Sequence, residues 1–388
     1  MSCPHCRADA RCKGFRWRAA LTLLGAIRLR RHYYHCPHCG RGTCPRDALL
    51  GLRPHDLTPA ADEVVCLAGV QTSFADAAAK VLPKLANLRV SESTAERATE
   101  AAGHRLLEAL QAGQTFGTAP RWDWHKDAEG KTVAYVSVDA TGVGMQGENG
   151  ARAEGRMAYV GVLYNPVPDQ REQWADPSGV RPDWQARYLA QVQPLAALAG
   201  PLRRQAGQVG LDDAERRIAL SDGGSGLEDF LQDNFGRVEA VILDFWHVAQ
   251  YLGDLSKALH PGQEEAAQSW QQAWCHRLKH EGGVVVLEAL RALDLKGRSG
   301  EVRQVHEEVV TYFGNQVHRM DYPAYRAKGW QIGSGPVESA CKTVIGQRMK
   351  GGGMRWGPDG SDGVAHLRAV FRSDPAQWAA FWSRNWAA

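Results

Sequence analysis

Two copies of one short motif constrain the first part of this chain more than any other feature. Cys3-Pro-His-Cys6 and Cys36-Pro-His-Cys39 each place two thiols at a spacing that lets both face one tetrahedral ion. Between them, GAIRLRRHYYHC is partly alternating and rich in β-branched and aromatic side chains, which predicts a strand leading into the second pair. We therefore predict a zinc ribbon over residues 1–55, with structural Zn²⁺ bound by Cys3, Cys6, Cys36 and Cys39.

The choice of zinc ligands stays open within this segment. Six of the nine cysteines lie in the first 44 residues, and such clustering without a secretion-signal pattern favours metal binding over disulfides. A closed four-thiolate site has no free coordination position, so the ion is expected to fold the segment rather than to catalyse. Other side chains that could replace one of the four cysteines are Cys12, Cys44, His5, His32, His35 and His38.

The charge of the chain is divided unevenly. Residues 1–55 contain eleven Lys/Arg and two Asp/Glu, a formal charge of +9, whereas the whole chain carries +3. A basic segment on a slightly acidic body predicts a module that binds a polyanion such as DNA through phosphate contacts. The alternative is a basic surface that is only solvated. The candidate arginines around the ribbon are Arg28, Arg30, Arg31 and Arg41.

Residues 58–112 are predicted to be helical, within a DNA-binding region that extends over residues 56–120 and ends in a linker. One helix has Thr58 as its cap and Pro59 in its first turn, and a later helix has Ser91 or Ser93 as its cap. Successive short helices fit a helix-turn-helix arrangement, although any small helical bundle gives the same pattern. No apolar run approaches the ~20 residues that span a bilayer, so we expect no membrane segment and a cytoplasmic protein, nucleoid-associated when bound to DNA.

An aspartate follows each of three apolar segments in the central region. KTVAYVSVD, RRIALSD and RVEAVILD each predict a buried strand, and they end at Asp139, Asp222 and Asp244. The last two strands are followed by helices, which calls for parallel pairing, while RMAYVGVLYN is expected to pair antiparallel with the first strand. Functional groups gather at the carboxyl ends of strands in open α/β sheets. A single aspartate there is often only a helix cap, so the prediction depends on all three.

Glu338 lies in the stretch GSGPVESACK and allows two interpretations. With Gly335 as cap and Pro336 first in the helix, it is the third helical residue, the position of a capping-box glutamate. It also lies at the edge of an apolar stripe, so it could reach a cleft and complete a metal site with the aspartates. Mg²⁺ or Mn²⁺ at such carboxylates, as two ions about 3.5–4 Å apart, can activate a water and stabilise the leaving oxygen of a phosphodiester.

The residues around Glu338 divide into two further sets. The apolar stripe, which should face the core, consists of Val337, Cys341, Val344 and Ile345. The basic residues, which we expect to face a DNA backbone, are Lys342, Arg348 and Lys350. Capping and catalysis are compatible, because a cap can fix the position of a carboxylate.

Several of these motifs resemble one known group of proteins. SVDATGVG, LSDGGSGL, ILDFWHVAQYL and GWQIGSGPVESACKTVIGQRMKGGGMRW resemble motifs of bacterial insertion-sequence transposases of the ISKra type. These are DDE transposases, related more distantly to Mutator-like elements. RRHYYHCPHCGRG and VSESTAERATEAAG resemble the same family, so the resemblance covers nearly the whole chain.

The resemblance implies an RNase H-like catalytic core that uses Mg²⁺ and three carboxylates. By motif these are Asp139 from SVDATG, Asp222 from LSDGGSGL and Glu338 from GPVESACK. Asp244 is the alternative second carboxylate, and His247 of LDFWH is expected near the site. Such an enzyme hydrolyses a phosphodiester at the end of a mobile element and directs the freed 3′-hydroxyl at target DNA, which is DNA recombination by transposition.

The whole sequence thus predicts an α/β protein in five segments. They are a zinc ribbon (1–55), a helical DNA-binding region (56–120), the first part of an RNase H-like core (121–260), a helical insertion (261–325) and C-terminal core helices that carry Glu338 (326–388). We expect a transposase that binds terminal inverted repeats and target DNA as a homo-oligomer. Two alternatives stay open, namely an inactive transposase-derived DNA-binding protein and a metal-dependent nuclease without strand transfer.

Overall fold

The computed structural model describes residues 1–52, 55–117, 121–148, 151, 153–166, 185–373 and 377–384. Its strands are β1 Arg11–Thr22, β2 Gly25–His35, β3 Gly42–Thr43, β4 Val133–Val143, β5 Arg156–Asn165, β6 Gln185–Gln191, β7 Arg216–Ser221 and β8 Ala240–Leu243. The predicted boundary at residue 120 and the predicted end of the last segment at 388 lie outside the described residues.

The helices account for most of the remaining described chain. They are α1 Pro45–Leu49, α2 Pro59–Gln71, α3 Phe74–Asp76, α4 Leu82–Leu85, α5 Glu92–Gln111, α6 Ala199–Val209, α7 Leu227–Asn234, α8 Phe245–Leu259, α9 Glu264–Glu281, α10 Gly283–Arg291, α11 Gly300–Gln316, α12 Tyr322–Ala327, α13 Gly335–Ala340, α14 Gln347–Met349, α15 Pro358–Arg372 and α16 Gln377–Arg384. Short π-helical segments at Ala77–Val81 and Cys341–Gly346 follow α3 and α13. None of the helices in the described ranges is long and apolar enough to cross a membrane.

The chain forms two compact units, each assembled from segments that are distant in sequence. Unit 1 comprises Met1–Thr118, Gly144–Gly155 and Gly346–Ala388. Unit 2 comprises Ala119–Val143 and Arg156–Ile345. The sequence prediction grouped residues 326–388 together, whereas the chain from Gly346 onward belongs to unit 1. Both units mix strands with helices, so the protein is α/β.

In unit 1, β1 and β2 form an antiparallel hairpin between the two cysteine pairs, as predicted. Phe15 pairs with His32 and Trp17 with Arg30. The hairpin starts where Arg11 pairs with His35, so the residues just outside it, which carry the cysteine pairs, come together at its open end. The short strand β3 pairs with the end of β2 and returns the chain past the second cysteine pair.

The helices of unit 1 begin at predicted caps. Thr58 precedes α2, which has Pro59 in its first turn. Of the two serine candidates, Ser91 rather than Ser93 is the N-cap of α5, and its hydroxyl accepts a hydrogen bond of 3.2 Å from the amide of Thr94. Both helices begin at predicted positions, but only Ser91 caps through its side chain, since the hydroxyl of Thr58 donates to the carbonyl of Leu21 instead.

Helices α5 and α15 approach each other closely within unit 1. A Cβ atom added to Gly103 of α5 would lie 2.4 Å from the backbone of Gly363 in α15, so the two glycines permit this backbone contact. Every residue of α15 from Gly360 to Val370 is buried. The last long helix of the chain is thus a core element of unit 1.

Arg348 differs from its prediction as a DNA-facing residue. It is only 2% exposed, and its Nε donates a hydrogen bond of 2.8 Å to the carbonyl of Gly69 near the end of α2. Its guanidinium lies over the rings of Phe74 and Trp356, at 4.5 and 4.8 Å. The last carbonyls of a helix have no intrahelical donor, and Arg348 supplies one from inside unit 1. The prediction for Arg348 is therefore wrong.

Unit 2 contains a five-stranded mixed sheet with the strand order β6-β5-β4-β7-β8. β5 is antiparallel to β4 and β6, as predicted for the first pair. β7 is parallel to β4 and β8, and α7 connects β7 to β8 as the predicted crossover helix. The central strand β4 is buried at every residue from Val133 to Val138, so both faces of the sheet are covered.

The register of the parallel strands brings the three predicted aspartates to one edge. β4 pairs with β7 up to Ser137 and Leu220, and β7 pairs with β8 up to Ser221 and Leu243. Continued by the same offsets, the pairing places Asp139 level with Asp222 and Asp222 level with Asp244. β4 itself does not end at Asp139 as predicted, because its pairing with β5 continues to Val143.

Replacing Arg348 by Ala is expected to lower the free energy of unfolding by about 2–4 kcal/mol, because it removes a charged donor from a buried carbonyl and leaves a cavity. Urea denaturation followed by circular dichroism measures this change. Lys84→Ala, which removes an exposed cation from the same unit, should change stability by less than about 0.5 kcal/mol. Equal effects of the two substitutions would contradict a core role for Arg348.

Candidate active site and metal centre

The four cysteines of the repeated motif converge in unit 1. The sulfur atoms of Cys3, Cys6, Cys36 and Cys39 all lie within 4.8 Å of one another, with Cys3 to Cys39 at 3.7 Å and Cys6 to Cys36 at 3.5 Å. Four sulfurs bound at the usual distance to a tetrahedral zinc ion lie about 3.8 Å apart. The arrangement is compatible with a zinc site.

The two cysteine pairs have the same backbone turn. The amide of Cys3 donates to the carbonyl of Ala8, and the amide of Cys36 donates to the carbonyl of Arg41. In each turn the fourth residue after the first cysteine has a left-handed backbone, φ 63° at Arg7 and φ 69° at Gly40. The amide of His5 donates to the sulfur of Cys3 and lowers the pKa of that thiol to about 7. Against a hydrogen bond from the amide of Ala8, burial and the neighbouring thiols raise the pKa of Cys6 to about 12, as expected for thiols held close together without an ion.

The alternative zinc ligands do not join this group. Within the described chain, only the four cysteines form a set of three or more potential ligands that all lie within 4.8 Å of one another. Cys12 is exposed on β1, and Cys44 precedes α1 as its N-cap residue. The apolar cluster around the cysteines is small, with only Ala8, Ala10 and Tyr34 besides the cysteines themselves. A core of this size needs a further constraint such as a bound ion to fold.

Asp139 is the central carboxylate at the sheet edge of unit 2. Burial raises the pKa of Asp139, and the nearby charges of Asp222 and Glu338 raise it further. A hydrogen bond from the amide of Ala140, 2.6 Å from Oδ1, and one from the thiol of Cys341 act in the opposite direction. The structure therefore brings Asp139 close enough to the other two predicted carboxylates for their charges to interact.

Asp222 lies just beyond β7 in a turn that requires both of its glycines. The amide of Gly224 donates to Oδ1 of Asp222 at 2.9 Å, and a Cβ on Gly224 would lie 2.8 Å from that same oxygen. A Cβ on Gly223 would lie 2.6 Å from the ring of Tyr312. The two glycines thus allow the turn to fold back on the aspartate under an aromatic ring.

Two residues that the sequence did not single out support this turn. Arg319 is buried, and its Nη2 donates to the carbonyl and the hydroxyl of Ser221 at 3.2 and 2.7 Å. Tyr312 stacks on Tyr251 at 3.9 Å and contacts His247 at 6.0 Å between ring centroids, so the predicted neighbour His247 lies beside the turn. No motif marked Arg319 or Tyr312, because both come from the helical region between β8 and Glu338.

Asp244 has a different environment from Asp139 and Asp222. It is only 5% exposed, and its Oδ1 accepts hydrogen bonds from the amide of Trp246 at 3.2 Å and the amide of Ser334 at 3.0 Å. The amide of Phe245 also donates to the carbonyl of Ile332 at 2.9 Å. Asp244 therefore caps α8 and fixes the turn that precedes α13.

Glu338 is not a capping-box residue. The N-cap of α13 is Ser334 instead of the predicted Gly335, it makes no side-chain capping bond, and Glu338 is the fourth helical residue. The carboxylate is 51% exposed and accepts a hydrogen bond of 2.8 Å from Lys342. The apolar stripe next to it is buried as predicted; its members are Val337, Cys341, Val344 and Ile345. The helix continues directly into the π-helical segment Cys341–Gly346, a geometry often found at functional sites.

The carboxylates of Asp139, Asp222 and Glu338 interact electrostatically, but their oxygens do not converge on one point. Among the described residues, no set of three acidic side chains has all its ligand oxygens within 4.8 Å. Asp139 is the member that interacts with both others, and Glu338 is held by Lys342. The sequence matches no protein-family model, and no curated protein is significantly similar to it.

Full-length protein is expected to contain about one zinc ion per chain, measured by elemental analysis after dialysis. Cys36→Ser should lose this zinc and the structure of the ribbon, because a missing thiolate breaks the closed site. Cys12→Ser, which removes an exposed cysteine of the same segment, should keep the full zinc content. Zinc retained in Cys36→Ser or lost in Cys12→Ser would show that the ligand set is different.

Asp139→Asn is expected to raise the midpoint of thermal unfolding at neutral pH without divalent ions. The pKa of Asp139 is raised in the folded protein. The wild-type side chain therefore stabilises the folded state below the unfolded pKa of about 3.9, and this stabilisation is lost as the pH rises through the folded pKa. The gain in the variant should therefore disappear at acidic pH. Asp254→Asn, at an exposed position of α8, should show no such dependence. A variant less stable than the wild type at neutral pH would contradict the proposed repulsion.

Proposed function

We propose that this chain is a DNA transposase of the DDE type, which cuts DNA at the ends of a mobile element and joins the freed end to a target. The observation that carries the proposal is the position of Asp139. It lies two residues beyond the last β4–β7 pair, Ser137 and Leu220, as Asp222 does on the β7 side, and burial together with the charges of Asp222 and Glu338 raises its pKa. Carboxylates that the fold holds close together despite their electrostatic repulsion are typical of catalytic sites rather than of structural ones.

The topology of unit 2 supports an RNase H-like core. Its first three strands form an antiparallel set, and two further strands extend the sheet in parallel through β7, α7 and β8. Asp139 lies just past the part of β4 that pairs in parallel with β7, Asp222 follows the end of β7, and Glu338 lies on α13, which packs against β4 and β5. This is the edge at which open α/β sheets place their active sites.

The donor set fits a divalent cation such as Mg²⁺ or Mn²⁺. All three candidate ligands are carboxylates, and no described Lys, Arg or His forms an ion pair with Asp139. Asp139 would be the shared ligand, with Asp222 and Glu338 completing the site. A bound ion would activate the attacking water or hydroxyl and stabilise the leaving oxygen of the phosphodiester.

Glu338 must exchange its present partner to take part. Its contact with Lys342 is a solvent-exposed i,i+4 pair, and such pairs contribute little to stability, so the carboxylate is easily released. Lys342 then remains within one helical turn of the site, where its ammonium group would contact a DNA phosphate. Asp244 contributes by fixing the start of α13. The zinc ribbon and the helices of unit 1 would bind the terminal repeats. The active form would be at least a dimer on paired DNA ends.

The test supplies Mg²⁺ or Mn²⁺ and DNA that carries the element's ends. Asp139→Asn, Asp222→Asn and Glu338→Gln should each reduce cleavage by at least about 10³-fold, because each loses several kcal/mol of transition-state stabilisation. Asp244→Asn keeps an acceptor oxygen for its two amides and should cut within about tenfold of wild type. The exposed Asp229→Asn on α7 is the matched control and should cut normally.

The products separate the proposal from its alternatives. Joined products indicate a transposase, whereas cut ends that are never joined indicate a nuclease. A wild-type protein that binds the ends but never cuts would be a DNA-binding derivative. If Asp222→Asn cuts normally while Asp244→Asn is inactive, Asp244 is the second carboxylate.

A further inference from the structure

The β1–β2 hairpin has two faces, and two arginines of one face are paired with carboxylates. On the inner face, which packs against helices of unit 1, Arg18 lies 2.9 Å from Asp47 and 2.5 Å from Asp56. Arg31 on the same face also pairs with Asp47, and Ala20 is buried there. Arg18 and Arg31 are therefore engaged by carboxylates of unit 1, whereas the exposed Arg16 of the same face has its guanidinium 3.7 Å from the ring centroid of Tyr33. The prediction that Arg31 contacts phosphate is not supported.

The outer face has the opposite character. It consists of Phe15, Trp17, Ala19, Arg28, Arg30 and His32, which are all exposed. The two rings are 50% and 58% exposed, which is unusual for side chains of this size. The guanidinium of Arg30 lies 3.8 Å from the Phe15 ring centroid and that of Arg28 lies 5.2 Å from the Trp17 ring. Neither guanidinium forms a hydrogen bond or ion pair with a described residue.

The pairing of each ring with a cation limits the kind of partner. An arginine that stacks on a ring by its flat face keeps its in-plane N–H groups free for an anion. A second copy of this chain would oppose the same cations to one another, because a twofold interface brings identical patches together. An acidic protein would neutralise the arginines but offer no flat faces for the rings. A nucleic acid strand offers both phosphates and bases.

The exposed rings of Phe15 and Trp17 also favour an unpaired strand over a duplex as the partner of the outer face. In a duplex the flat faces of the bases are covered by their neighbours, so a protein reaches only base edges and phosphates. Aromatic side chains on an open sheet surface instead stack on splayed, unpaired bases. Two rings in alternate positions of one strand, with arginines across from or beside them, match the second situation.

We propose that the outer face binds single-stranded DNA, with Phe15 and Trp17 stacking on unpaired bases and Arg28 and Arg30 contacting the adjacent phosphates. The choice of DNA rests on the proposed function, since cutting and joining expose unpaired ends. The ribbon would thus hold a frayed or displaced strand in addition to any duplex contact made elsewhere in unit 1.

The experiment measures binding of fluorescent oligonucleotides by full-length protein that carries Asp139→Asn, without divalent ions, so that nothing is cut. The probes are oligo-dT, a blunt duplex and the same duplex with a single-stranded tail. The variants are Phe15→Ala and Trp17→Ala, with Trp17→Phe as the conservative replacement. Leu24→Ser, at a fully exposed apolar position of the hairpin turn, is the matched control. Zinc content and circular dichroism establish that each variant keeps its fold.

Each ring-to-alanine change should raise the Kd for oligo-dT and for the tailed duplex by about 5- to 100-fold and leave the blunt duplex unaffected. Trp17→Phe should retain most of the affinity, and Leu24→Ser should retain all of it. Arg28→Gln and Arg30→Gln should each weaken binding to oligo-dT and to the tailed duplex and reduce the salt slope by about one, as expected for a phosphate contact.

Three outcomes would overturn the inference. They are ring variants that bind the tailed duplex as tightly as wild type, equal losses on tailed and blunt DNA, and a wild-type dimer that dissociates in the ring variants. The last would make the outer face an interface between copies. The proposed function is tested separately: a protein that cuts DNA but whose ring variants bind normally refutes only this face, and one that binds through the rings but never cuts refutes only the transposase.

Discussion

The candidate active site depends on a hydrogen-bonded carboxylate that is not itself one of the proposed catalytic residues. Asp244 accepts from the amide of Trp246 at the start of α8 and from the amide of Ser334 just before α13. A buried carboxylate is costly unless its oxygens are hydrogen-bonded, so these two pieces of chain are held to the end of β8. Since α13 begins directly after Ser334, the hydrogen bond from Ser334 to Asp244 helps to position Glu338, although Glu338 takes no part in it.

Two aspartates of unit 2 have contrasting electrostatic environments. The side chain of Asp127 is only 1% exposed. Although burial raises its pKa, hydrogen bonds and the ion pair with Arg216 lower it below the ordinary value. Asp139 has no such cation and two acidic neighbours, and its pKa is raised. The apolar residues of β4 tolerate this unfavourable charge, which is the kind of local conflict that proteins retain at functional sites.

Local patterns in the sequence predicted the local features of the fold. The repeated cysteine motif indicated four thiols around one point, and the apolar segments indicated β4, β5, β7 and β8 with their pairing. Features that depend on distant partners could not be predicted. The sequence predicts that Arg348 faces DNA because it follows the candidate carboxylate Glu338 in a basic stretch, yet its acceptor, the carbonyl of Gly69, is 279 residues away. Arg319 likewise acts on Ser221, 98 residues away. The separate role of Asp244 was hidden because its sequence context is the same as that of Asp222.

The discontinuous make-up of unit 1 has a consequence for how the protein is made. Helix α5 emerges early from the ribosome, but α15, which packs against it through Gly103 and Gly363, is synthesised near the end. Until then the early helices expose apolar surface, and such surface on an unfinished domain attracts chaperones and proteases. A chain that stops before Gly346 therefore lacks a completed unit 1. Premature termination should therefore yield short-lived fragments instead of a stable partial protein.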